Sequence, residues 1–162
     1  MDNIDKVIDC SDYYFALNPD ETDFTLLMIR FDTLLSKEEW DKALEILDLC
    51  MKTKNYVDNT GNTMANTMML YSGYARAYGG LKDRKKQEMF LRRAKKINPA
   101  EVTIIMDYVS YYRSCGKLDK AADVLREALK VNLDPMDIIP IMNELVQLDI
   151  ERHEKKPNRS VY

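Results

Sequence analysis

Glycine and proline are scarce, five of each in 162 residues, which argues against an all-β fold, whose many tight turns need both. Long apolar runs are missing too. No stretch approaches the roughly 18 to 20 uninterrupted apolar residues of a membrane span, and Asp2, Asp5 and Asp9 stand where a secretory leader needs positive charge. A cytoplasmic protein with no membrane partner is expected. Cysteine is limited to Cys10, Cys50 and Cys115, widely spaced and without a CxxC pair. Neither a disulfide framework nor a structural zinc site follows from that spacing, and all three read as small buried residues of a reducing compartment. The single histidine, His153, lies among charged residues, which leaves no partner for a His-based triad, a zinc pair or an HExxH helix. Gly79-Gly80 precedes Lys82, but GxxxxGK[ST] is absent and no strand leads into it, so the pair reads as a turn. No catalytic residue, metal or cofactor is expected, and hence no enzyme.

What remains is rich in helix-forming material. The chain is 46% hydrophobic and 31% charged, typical of a folded domain, and its length suits one domain rather than two. The net charge of -3 is unevenly spread: residues 1–50 carry -9, whereas Lys82 to Lys96 carry +6. Such a bipolar chain is expected to self-associate weakly, head to tail, at low salt.

Self-similarity is the strongest pattern. An offset of 34 lays residues 68–101 over 102–135 and matches Tyr74 with Tyr108, Tyr78 with Tyr112, Lys86 with Lys120 and Leu91 with Leu125. It also matches Arg92 with Arg126, Ala94 with Ala128, Lys96 with Lys130 and Asn98 with Asn132. Ordinary residue frequencies would give about two identities. An offset of 78 sets Phe24 to Asn55 over Val102 to Leu133, including Asp41-Lys42-Ala43 over Asp119-Lys120-Ala121. Each unit reads as two helices. In the clearest, Ile104, Ile105, Tyr108, Val109 and Tyr112 form one helical stripe, and Leu118, Ala121, Ala122, Leu125, Ala128 and Leu129 form the next. Gly116 allows a left-handed turn between them, and Asn132 and Pro135 end the second helix.

A 34-residue helix-turn-helix period resembles that of the tetratricopeptide-repeat (TPR) family. The resemblance rests on Gly116, Ala121, Leu125 and Ala128, with Tyr112 at the family's aromatic position. The middle copy supplies Tyr71, Ala75, Tyr78, Leu91, Ala94 and Pro99, departs at Gln87, and has Lys82 for the turn glycine, with Gly79-Gly80 as the expected compensation. The first copy keeps Trp40, Ala43 and Leu47, but has Cys50 for the late alanine and Arg30 where an apolar residue belongs. The expected fold is all-α: a right-handed α-solenoid of about three TPR-like helix pairs with an N-terminal helix over 1–18 and a C-terminal capping helix. One domain would cover 1–155, with repeats at 24–57, 68–101 and 102–135, a cap at 136–154 turning Ile138, Ile139, Met142, Leu145, Val146 and Leu148 inward, and a flexible tail at 156–162. Residues 56–66 carry no helical period and read as a surface insertion or an extended turn.

The resemblance implies protein or peptide binding, as an adaptor or scaffold, in a groove lined by first helices. The residues assigned to it, as lying off the packing stripes, are Met28, Asp32, Met69, Ser72, Arg76, Thr103, Met106, Ser110 and Arg113. The three Met would form an apolar floor, with Arg76 and Arg113 holding a carboxylate or carbonyl. The other Met, such as Met51, Met89 and Met142, read as core. The Lys, Asn and Arg of the family's carboxylate clamp are not matched: Met28 and Asp32, Ser72 and Gly73, and Thr103 and Asp107 stand at those positions. Two alternatives remain. A basic face made by Lys85, Lys86, Arg92, Arg93 and Lys96 would bind nucleic acid or an acidic protein surface, although surface aromatics for base stacking are lacking. Small TPR chaperones of secretion or assembly systems are similar in length.

Overall fold

The computed structural model describes residues 3–57, 63–131 and 133–154. Among them the chain forms eight helices and no strand: α1 (Asn3–Leu17), α2 (Phe24–Ser36), α3 (Trp40–Thr53), α4 (Thr63–Gly80), α5 (Arg84–Ile97), α6 (Val102–Ser114), α7 (Leu118–Ala128) and α8 (Pro135–Glu154). The helix starts follow local chemistry. Asp23 Oδ1 accepts from the Leu26 amide at 3.0 Å, and Asp134 Oδ1 accepts from Met136 at 2.9 Å with Pro135 as the first helical residue, the arrangement that satisfies orphan amides at an N-terminus.

The turns between paired helices repeat one geometry. Glu38 (φ 58°), Lys82 (φ 60°) and Gly116 (φ 69°) sit at equivalent positions in the left-handed region. The following amides of Glu39, Asp83 and Lys117 each donate back to Leu34, Tyr78 and Tyr112 carbonyls at 2.9 Å. This six-to-one closure caps a helix C-terminus. It ties the first copy to the offset of 78 and the second to the offset of 34. It also corrects one expectation: Lys82 itself adopts the left-handed conformation, and Gly79 and Gly80 lie inside α4 instead of replacing it. There they serve close packing, since a Cβ on Gly80 would lie 2.4 Å from the Trp40 ring.

The helices fall into two compact units, Met1–Arg93 and Ala94–Tyr162, the division lying within α5. The first unit is built on Leu27, Phe31 and Leu34 of α2, Ala43, Leu47 and Cys50 of α3, and Leu70, Tyr74 and Ala77 of α4. Gly73 lets α4 approach: a Cβ there would stand 3.1 Å from Leu47 and 3.2 Å from Phe31. Tyr74, Tyr78 and Phe90 stack, with centroids 4.6 Å apart for Tyr74 and Phe90. The out-of-pattern Arg30 is explained by α1, where it pairs with Asp12 and lies 5.4 Å from the Phe15 ring centroid.

The second unit packs Ile105 and Val109 of α6 with Leu118, Ala121, Ala122, Leu125 and Ala128 of α7, and with Ile141 and Leu148 of α8. The inward face of α8 therefore differs from expectation. Leu148 is buried as expected and Leu145 packs against the core, but Ile139, Met142 and Val146 are exposed, and Ile141 takes the central place. The cause is that α8 is apolar on two opposite faces. Met89 is likewise more exposed than expected, while Met51 packs on the core. Of the cysteines only Cys50 is buried, where desolvation pushes its thiol up to about 11; Cys115 is half-buried and Cys10 exposed. The expectations for 156–162, for Asn132 and for 58–62 lie outside the described residues, and the segment read as non-helical over 56–66 is shorter than expected, because α4 begins at Thr63 and takes in 63–66.

Candidate functional site

The repeat alignment places the groove residues on the first helices, and their burial separates them. Met28 belongs to the core cluster and Ser72 is 4% exposed, which corrects their assignment to an open wall. A first helix packs against its own partner helix and also against a neighbouring pair, so more of its circumference is buried than a single stripe. Met69 is exposed, as are Asp32 and Arg76. Asp32 keeps an open surface, yet the surrounding protein raises its carboxyl pKa, an effect partly offset by the Arg76 charge. That coupling brings two of the assigned residues, from α2 and α4, into electrostatic contact.

In the second unit Thr103 and Ser110 are exposed and Met106 packs against the α6–α7–α8 core. Arg113 is engaged within the protein: its guanidinium reaches Glu144 at 2.6 Å and Glu151 at 3.1 Å, both on α8. It acts as a clasp for that helix, a correction to its role as a ligand anchor. Sequence reasoning missed this because both carboxylates lie in the segment read only as a cap.

The basic residues are also engaged. Lys86 lies 3.7 Å from Asp83 and 4.7 Å from the Tyr78 centroid. Arg92 pairs with Glu88 at 2.6 Å. Arg93 stands over Phe90 and Tyr71, at 5.2 and 5.9 Å. Lys85 and Lys96 are exposed. Lysines and arginines laid over aromatic faces contribute to packing, so the charge run is in good part structural.

Two clefts were not foreseen. In the second unit an opening of about 480 Å³ is lined by Lys95, Tyr108, Tyr112, Lys120, Asp123 and Glu127, among others. Lys95 and Lys120 there lie over the Tyr108 and Tyr112 rings at 5.3 and 6.0 Å. In the first unit an apolar cleft of about 440 Å³ runs between α1 and α2. Among the described residues no group of three His, Cys, Asp or Glu is placed to hold a metal, and no helix is long and apolar enough to cross a membrane.

No family model matches the sequence, and no curated protein does. Among solved structures, a thermophilic TPR protein of Thermus thermophilus is similar, with 18% identity, a TM-score of 0.55, and coverage of 96% of this chain and 84% of that one. With its shared turns, its helix pairs and this structural likeness, the chain has an all-α, TPR-like helical-repeat fold.

Proposed function

We propose that the protein is a protein- or peptide-binding adaptor or scaffold that works in the cytoplasm and uses exposed side chains of its first helices. The observation that carries this reading is the Met69, Asp32 and Arg76 group of the first unit. Met69 stands open to solvent on α4, the helix that also carries Arg76, whose charge acts on Asp32 of α2. Met28 and Ser72 are buried, which supports these side chains as the presented surface, and Met adapts to varied apolar partners. A preformed helical surface of this kind limits the ordering cost of binding. Thr103 and Ser110 extend the proposal to the second unit as polar contacts.

The test is selection from a displayed peptide library followed by calorimetry. Met69→Ala and Arg76→Ala should each weaken a selected peptide by about 1 kcal/mol or more while leaving helicity unchanged. Failure to select any binder, or unchanged affinity in both variants, would refute the proposal.

A further inference from the structure

We infer that two copies of this chain join end to end, α8 of one copy packing as a first helix over the open face of α1 of the next, so that the two together complete one helix pair.

The argument begins with what α1 is. Asp12 of α1 pairs with Arg30 of α2, and Asp48 of α3 accepts the Tyr74 hydroxyl of α4 at 2.5 Å. Arg30 and Tyr74 are the same repeat position, since both align with Tyr108 at the offsets of 78 and 34. Asp12 is therefore the counterpart of Asp48, and α1 stands where a second helix stands. By the same alignment Val7, Ser11 and Tyr14 match Ala43, Leu47 and Cys50. Those three are fully buried against the first helix of their pair. No first helix covers α1 among the described residues: Val7 is 59% exposed, and the cleft between Val7, Cys10 and Ser11 of α1 and Leu26 and Ile29 of α2 is open. Inside it the Ser11 hydroxyl is buried with no hydrogen-bond partner, a costly state for a native polar group.

The other end is the complement. Offset by 34 from α6, α8 stands where a first helix stands, and Ile139, Asn143 and Val146 match Ile105, Val109 and Tyr112, which pack with α7. No second helix covers them among the described residues. Ile139 is 60% and Val146 57% exposed. The odd polar residues also correspond. Phe31 and Leu47 share one core, and Val109 and Leu125 the other; at the junction these two positions are Asn143 and Ser11. The occupant is a second copy, because the exposed face of α8 carries first-helix positions and the exposed face of α1 carries second-helix positions. Such a heterologous contact propagates into chains or closes into rings.

Sedimentation velocity on the full chain tests this. Association should rise with concentration and persist at about 1 M salt, where the Debye length of about 3 Å screens charge pairing. Val7→Glu and Val146→Glu, both at exposed positions, should keep normal helicity and each lose self-association. Mixed in equal amounts, they should form a 1:1 dimer and nothing larger, since each keeps one intact end. A wild-type chain that stays monomeric would overturn the inference. So would association lost in high salt, retained dimers of Val7→Glu alone, or a mixture that stays monomeric.

Discussion

Gly116→Ala isolates the backbone term of the helix-pair turn. Nothing lies within 4 Å of a Cβ added there, so steric collision is absent and only the conformation matters. Holding an L-residue in the left-handed region at φ 69° costs about 1 to 2 kcal/mol, and the reduced freedom of the unfolded chain returns about 0.4 to 1 kcal/mol. The expected net loss is about 1 kcal/mol, or a melting temperature lower by about 2 to 4 °C for a chain of this size. Gly116→Asn should lose less, because Asn tolerates that region better. The reciprocal changes Glu38→Gly and Lys82→Gly, at φ 58° and 60°, should stabilise by a few tenths of a kcal/mol to about 1 kcal/mol. Gly80→Ala provides the contrast: its cost should come from the Trp40 ring 2.4 Å away, about 1 to 3 kcal/mol of overpacking. Denaturant titrations with unchanged m-values would measure all five. If Gly116→Ala costs nothing, or Lys82→Gly destabilises as much as Gly116→Ala, the equivalence of the turns is wrong.

Ser11→Ala removes a buried hydroxyl without a partner and should stabilise the dilute monomer by about 1 kcal/mol, read by urea unfolding; a loss of that size would mean the hydroxyl is bonded. Arg113→Ala breaks both contacts to α8 and should cost about 1 kcal/mol, with hydrogen exchange accelerated in α8 first; uniform acceleration would deny it the clasp role. Asp12 is held below its ordinary pKa by hydrogen bonds from Lys37 and Arg30. Its stabilisation is therefore complete above the ordinary carboxylate range near 4 and is lost as pH falls through the lowered value. Asp12→Asn should flatten that part of the acid limb, and an unchanged limb would refute the assignment. Treating 1–155 as one domain implies a single calorimetric transition, and two resolved transitions would contradict it.

The helix pairs were legible because the repeat leaves small residues and turn positions in fixed register: Ala121, Leu125 and Ala128 are buried where their spacing puts them. The ends were not. In α8 both Ile141 and Ile139 lie on apolar faces, and periodicity alone cannot say which face meets the core. Met28 and Ser72 were misplaced because a first helix meets two neighbours, which a one-stripe reading ignores. The sequence reads Arg113 as a ligand anchor and Arg93 as part of a basic face because Glu144, Glu151 and Tyr71 are separated from them in sequence by distances that no local pattern reports.

The three-residue turns have a kinetic consequence. Each brings its two helices together within about thirty residues of chain, so little loop entropy must be lost before native contacts form. A chain built from such hairpins has low contact order, and folding in about the microsecond to millisecond range is typical of helical proteins of that kind. Each hairpin also carries its own closing hydrogen bonds, so nucleation can begin at any of the three and spread to its neighbours.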